Sequence, residues 1–241
     1  MSTAQVVING SLSSAIVSAM RIDPRFVQMT LVPGTEQPVA STTAGVVPMG
    51  DRNTLIAAFN AGFKMKDTNG GWFSQGRTAV PLTAGVASLV LRSNGTADVG
   101  VWGRDDTMDP LVTAVRQNRL LLIDHSTPNP LVTTPYYRFV WGATIHKQEA
   151  VWRSGIGITK NGSLVYAAGR SLTVPQLTAA FLAVGAVRAM ELDINTQFVD
   201  AYIYTPSATG PIGTKLVPSM RYGPDHYLNP QPRDFIEVRS R

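Results

Sequence analysis

The chain has 241 residues, 44% hydrophobic and 15% charged: ample material for a packed core and the wrong balance for a disordered segment. Its net charge of +5 is dispersed, with arginines standing singly at 77, 92, 104, 116, 119, 138, 153, 170 and 188, so the concentrated basic patch of a nucleic-acid surface is missing and no nucleic-acid partner is expected. Cysteine is absent, which excludes disulfides, thiolate zinc sites and cysteine nucleophiles.

The first segment, MSTAQVVINGSLSSAIVSAM, has no charged region ahead of its apolar residues and does not read as a signal peptide. No apolar run in the chain reaches the length of a membrane span. Residues 1–50 read as short strands and turns, with VVI and FVQMTLV (26–32) as strands and PGTEQP as a turn. DRNTLIAAFNAGF (51–63) opens as a short helix and runs into an apolar segment, and KDTNGGWFSQGR (66–77) reads as a polar, Gly-rich loop of the kind that borders sites. VASLVL and ADVGVW flank Asn94-Gly95 as a hairpin, because Asn-Gly suits a tight turn at positive φ.

DPLVTAVRQN (109–118) has helical spacing, with Asp109 as N-cap and Pro110 at the first helical position. RLLLID follows as a buried strand, then HSTPNPLVTTP (125–135) as a Pro-broken connection. SGIGITKNGSLVYAAG (154–169) repeats the hairpin logic around Asn161-Gly162. The clearest helix is VPQLTAAFLAVG (174–185), with Thr173 and Gln176 as a capping box and Gly185 as its stop. AVRAMELDIN then reads as a strand reached by crossover onto a shared sheet, and NPQPRDFIEV (229–238) as a docked terminal strand. The expectation is an α+β fold: one compact strand-rich domain over residues 1–241, with mixed twisted sheets and a few helices packed on them.

Standard catalytic signatures are missing: there is no HExxH, GxSxG, Walker loop or GxGxxG behind a strand. His125, His146 and His226 lie in loop-like contexts without metal spacing and read as solvated. The Asn-Gly-Ser/Thr triplets at 9, 94 and 161 match turn chemistry as well as a glycosylation sequon, and turns explain them.

Three segments have the composition of a site. In FNAGF (59–63), Asn60 stands among small residues and Gly62 lets a ligand approach the backbone. In WRSGIG (152–157), Arg153 offers a planar fork suited to phosphate and Ser154 a hydroxyl. In ELDIN, alternation on a strand would put Glu191, Asp193 and Asn195 on one face and Met190, Leu192 and Ile194 on the other, toward a core.

The order of these segments resembles the phosphodiester glycosidase family, which includes the mannose 6-phosphate uncovering enzyme. FNAGF stands in place of an Asn-Gly-Gly-Phe-Phe-like element, RSGIG in place of Arg-Thr-Ala-Ile-Gly, and SLTVPQLTAAFLAVGA fits a Leu-Thr-x-x-Glu-Leu-Ala helix. Leu192-Asp193 match Leu-Asp-Gly-Gly-Gly-Ser before Ile194, Asn195, Thr196 and Gln197 replace the glycines. Phe59–Lys64, Arg116–Asn118, Trp152–Gly155, Leu192–Asn195 and Arg233–Phe235 resemble a set that recurs in an actinobacterial-type branch, and the likeness spans about residues 45–240.

The resemblance implies cleavage of a sugar-1-phosphodiester to free sugar and phosphate monoester, on an envelope or exopolysaccharide glycan, by an extracellular or envelope protein. It makes Arg153, with Ser154, the candidate phosphate holder and Asp193 the candidate acid/base, nucleophile or cation stabiliser, with Glu191 as its partner. Asn60 and Asn195 would hydrogen-bond the substrate. No cofactor is implied, and Asp193 with Asn195 would suit a divalent cation without the spacing naming one. The competing reading is a carbohydrate- or envelope-binding module that keeps the fold without turnover, favoured by the replaced glycine loop.

Overall fold

The computed structural model describes every residue except 11–13, 41–43, 135–137, 145 and 147, and the side chains of 138 and 139. The connection read at 125–135 and the triplet at Asn9 each end outside the described residues, at Pro135 and Ser11. Three sheets make up the architecture. The first has seven strands in the order Ser2–Ile8, Ala15–Ile22, Leu164–Leu172, Val151–Thr159, Ala186–Glu191, Leu121–Asp124 and Thr127–Pro128. The second has five, ordered Ile212–Lys215, Ala201–Thr205, Leu55–Asn60, Phe235–Ser240 and Val27–Val32. The third also has five, ordered Arg77–Val80, Trp72–Ser74, Val112–Gln117, Ala87–Arg92 and Ala97–Val101. The strand-rich α+β class stands, and among the described residues every ladder is antiparallel where mixed sheets were expected.

Local chemistry explains the elements that were read correctly. Gly95 (φ +79°) and Gly162 (φ +82°) take the left-handed conformation that their hairpin turns demand. Helix Val174–Ala183 begins with the complete Thr173/Gln176 capping box. It carries the chain over Val151–Thr159, so that its two flanking strands run parallel to each other on either side of that strand. Gly155 and Gly157 serve this crossover, since a Cβ at either would lie 2.7 or 3.0 Å from the Phe181 ring.

Tertiary context overrides local spacing elsewhere. Residues 112–117 form the central strand of the third sheet, not a helix, and are buried at all positions but Thr113. Asp109 Oδ1 accepts the Leu111 N–H in a turn, so the side chain read as a helix cap closes a loop instead. The supposed loop at 66–77 overlaps a helical turn, Met65–Thr68, and contains the strand Trp72–Ser74. The short helix expected at 51 is a 3-10 turn, Met49–Asp51, and strand Ala15–Ile22 had no separate expectation.

Alternation decides the layers. One face of the seven-stranded sheet packs Val165, Ala167 and Ala189 against Leu177, Ala180 and Phe181 of the helix. Its other face sends Met20, Ile156, Tyr166 and Met190 into a core shared with Phe59 and Ile236 of the second sheet and Leu89 and Val99 of the third.

A buried polar tie crosses this core. Arg116, on the third sheet, is 1% exposed, and Asp234, at the head of a second-sheet strand, is fully buried. Arg116 Nε donates to Asp234 Oδ2 at 2.7 Å, Nη1 to the Gln117 carbonyl and Nη2 to the Phe63 carbonyl, while Trp72 Nε1 also donates to Asp234. Next along, Asn118 Nδ2 donates to the Glu191 and Leu192 carbonyls, and its Oδ1 accepts the Phe63 N–H. Arg116–Asn118 and Asp234 thereby hold together the chain after Asn60 and the end of strand Ala186–Glu191. Removing one member of a buried ion pair strands the other charge. Arg116→Met is therefore expected to cost about 3–5 kcal/mol, and Arg116→Met with Asp234→Leu to recover much of that. Urea unfolding of the parent, both single variants and the double variant checks this.

Candidate active site

A cavity of about 240 Å³ opens beside the tie, lined among others by Asn60, Phe198, Asp200, Tyr222, His226 and Arg233. Asn60 ends a central strand of the second sheet, and both ends of its amide are placed. Nδ2 donates to Ser154 Oγ at 3.1 Å and Oδ1 accepts the Tyr166 hydroxyl at 2.7 Å. Ser154 Oγ in turn donates to the Asp193 carbonyl. Gly62 packs closely on the core, where a Cβ would lie 3.2 Å from the Arg116 guanidinium and press on it.

Arg233 supplies the cleft's cation. Its Nη2 donates to the Gly62 carbonyl at 2.6 Å and to Asp193 Oδ2 at 3.2 Å, and its guanidinium lies 4.4 Å from the centre of the Phe198 ring. Its Nε is buried and has no hydrogen-bond partner among the described residues. A guanidinium edge in that state costs free energy until an acceptor arrives. Asp193 is fixed by more than Arg233: its Oδ1 accepts the N–H groups of Ile194 and Asn195 at 2.7 and 2.9 Å. Burial raises its carboxyl above the usual range, and Arg233 and these two amides oppose the rise.

Asp200 is 1% exposed, and burial pushes its carboxyl up to about 7, although Tyr202 donates a hydrogen bond to it at 3.0 Å. His226 Nε2 stands 3.8 Å from Asp200 Oδ2. Burial lowers the His226 imidazole to about 4, so it is neutral at pH 7. Its ring stacks on Tyr222 at 4.5 Å with 6° between planes, a packed position where solvation had been expected.

The residues singled out in the sequence do not all come together. Asn60 and Gly62 line the cleft, and Ser154 and Asp193 adjoin it through hydrogen bonds with Asn60 and Arg233. Arg153 and Glu191 do not join them, because Arg153 alternates with Ser154 and shares the helix-side face of its strand with Gly155 and Gly157. Every branch of the Arg153 guanidinium is engaged, Nε with the Leu172 carbonyl, Nη1 with Glu191 Oε1 at 2.5 Å and Nη2 with the Glu149 carbonyl. Glu191 is buried and pushed up to about 7 by that burial, against the pull of Arg153. The aligned row expected from ELDIN is interrupted because the strand ends at Glu191 and the Asp193 side chain caps the following turn. Asn195 is exposed and accepts the Gln197 N–H. Among the described residues no three acidic or histidine side chains form a metal set.

Asp200, Tyr222 and His226 had no sequence signal of their own. Arg233 stood in the recurring terminal triplet, which was the available pointer to it. The family model for phosphodiester glycosidase matches residues 53–217, more than half of the chain. The chain belongs to the phosphodiester glycosidase family. In fold it is similar to the catalytic domain of zebrafish N-acetylglucosamine-1-phosphodiester alpha-N-acetylglucosaminidase, auto-inhibited by its pro-peptide, at a TM-score of 0.61 and 15% identity over 100% of this chain and 82% of that one. A hypothetical protein from Synechocystis gives a TM-score of 0.52 at 14% identity, over 98% of this chain and 61% of that one. A Burkholderia pseudomallei protein described as exported gives 0.52 at 11% identity, over 93% and 74%. No curated protein sequence matches the chain significantly.

The raised carboxyl of Asp200 has a stability consequence. Its folded value of about 7 exceeds the unfolded value of about 3.9, so the folded state binds more protons between them and this group's contribution falls as pH rises through that window. Asp200→Asn removes the dependence and keeps an acceptor for Tyr202. Relative to the parent, the variant is expected to gain stability from pH 5 to pH 8, measured by urea midpoints. Glu191 and Glu237, also pushed up to about 7 by burial, are common to both proteins and cancel. An unchanged difference between the two pH values would contradict a proton on Asp200.

Proposed function

We propose that this phosphodiester glycosidase family member hydrolyses a glycosyl phosphodiester at the sugar carbon–oxygen bond, releasing free sugar and a phosphate monoester, and that its substrate is an extracellular or envelope glycan. The observation that carries this reading is the partnerless Arg233 Nε in a cleft whose carboxylic acid, Asp200, titrates near neutral pH. A phosphodiester brings one negative charge, and its departure as a monoester concentrates charge on the oxygen that leaves. Arg233 would meet that oxygen with a donor already desolvated, so little reorganisation accompanies the step.

Asp193 acts through Arg233, holding one side of the guanidinium while its own other oxygen is clamped by two amides. Asp200 is the general base. A water oxygen bonds to the anomeric carbon, the water proton passes to Asp200, and the carbon–oxygen electron pair leaves with the phosphate on Arg233. A base with pKa near 7 combines a useful ionised fraction with proton affinity at neutral pH. Asn60, locked by Ser154 and Tyr166, presents its amide to the substrate. Arg153 and Glu191 keep a structural part in this scheme, joining the start of one strand to the end of its neighbour. The zebrafish enzyme's named substrate supports N-acetylglucosamine as the first sugar to test.

On N-acetylglucosamine-1-phosphate methyl diester, Arg233→Lys keeps the charge and loses the planar fork, and is expected to lower kcat/KM by about 10²-fold or more. Asp200→Asn is expected to lower kcat by about 10²-fold or more and to abolish the rise in rate as pH increases through 7. Arg153→Lys is expected to reduce thermal stability with much less effect on kcat. Unimpaired turnover in Arg233→Lys, or an intact pH limb in Asp200→Asn, would remove these residues from their roles.

A further inference from the structure

A second concavity, of about 440 Å³, lies on the other side of the loop that follows Asp193. Ile194, Asn195 and Thr196 line it, while the next two residues, Gln197 and Phe198, line the catalytic cleft. One short loop is thus the shared wall of both spaces. This is the stretch in which the glycines expected from the family pattern are replaced, so the wall carries side chains where it would otherwise be bare backbone. The other described residues of the lining are uncharged and include the hydroxyls of Thr144, Ser171 and Ser219, the Gln148 amide and Trp152. Among the described residues Arg170 is the one charged residue of this lining.

The backbone delivers Arg170 there. Val151 pairs with Leu172 and Arg153 with Gly169, so Trp152 on one strand faces both Arg170 and Ser171 on the other. This is a β-bulge, which bends the strand and turns a side chain out of the regular alternation. Ser171 adopts φ +55°, an unusual conformation for a residue other than glycine. Both bulge residues are exposed, and Arg170 has no carboxylate or other partner among the described residues. A lone guanidinium set in a wall of hydroxyls and amides suits a hydroxylated ligand that carries an anion.

We propose that this groove is a second subsite, in which Arg170 takes a further phosphate of a repeating sugar-phosphate chain. The substrate class is then a polymer with several phosphodiester links, one lying in the catalytic cleft and its neighbour crossing the Ile194–Thr196 wall. This proposal rests on the reading of the cleft as a site of glycosyl phosphodiester hydrolysis.

The experiment compares two probes: N-acetylglucosamine-1-phosphate methyl diester, with one link, and a synthetic two-repeat oligomer containing two such links. The parent is expected to show a lower KM for the oligomer. Arg170→Ala is expected to raise that KM about tenfold, the scale of one lost charge-assisted contact, and to leave kcat/KM on the single diester unchanged. Arg170→Lys should restore part of the preference. Equal KM values for both probes in the parent, or equal losses on both in Arg170→Ala, would overturn the subsite and leave hydrolysis standing. Calorimetric binding of both probes separates the two ideas from the other side. A parent that cleaves neither probe, yet binds the oligomer more tightly through Arg170, would keep the groove and remove the hydrolysis reading. Oligomer binding no tighter than that of the single diester would overturn the groove whatever the turnover.

Discussion

The buried pair between Arg116 and Asp234 is the constraint on which the site depends. An ion pair 1% exposed on one side and fully buried on the other is a poor source of net stability, since the cost of desolvating both charges offsets their attraction. Its value is positional. Asp234 immediately follows Arg233 in the chain, and Arg116 also grips the Phe63 carbonyl one residue after Gly62. The same tie therefore sets where the cleft guanidinium starts and where its Gly62 acceptor stands. Loss of the pair would move both ends of the Arg233–Gly62 contact, so the site is only as rigid as the core beneath it.

Two arginine–carboxylate pairs near the end of strand Ala186–Glu191 illustrate how similar chemistry takes different parts. Arg153 and Glu191 lie on the helix side of the sheet, and Arg153 spends every branch on protein acceptors. Arg233 and Asp193 lie at the cleft, and Arg233 keeps a buried donor without an acceptor. Each pairs an arginine with a carboxylate. What separates them is which face of the sheet each occupies and how many backbone carbonyls come within reach. An unpartnered donor is tolerated in a folded protein when a ligand completes it, and that asymmetry makes Arg233, not Arg153, the anion holder in the proposed reaction.

The parts of the fold that were legible in the sequence are those written in a few adjacent residues: the two Asn-Gly hairpins, the Thr173/Gln176 capping box, and the crossover that follows it. Residues 112–117 were not, because a strand buried on both faces loses its alternation and its flanking Asp109-Pro110 is equally good turn chemistry. Asn60, Ser154 and Asp193, grouped by residue type and order, stand in one hydrogen-bonded chain. Arg153 lies apart from them with its donors engaged, because sequence shows a guanidinium but not whether its donors are taken. Asp200 escaped notice since a lone carboxylate becomes chemically special only through burial, and the Tyr222 and His226 rings that flank it come from a separate loop.

The central claim is that water attacks the sugar and not the phosphorus. Hydrolysis of N-acetylglucosamine-1-phosphate methyl diester in oxygen-18 water, with both products analysed by mass spectrometry, tests it directly. Attack at the anomeric carbon places the heavy oxygen in the released sugar and leaves the phosphate monoester unlabelled. Label appearing in the phosphate monoester would mean cleavage at phosphorus, and would contradict the proposed roles of Arg233 and Asp200.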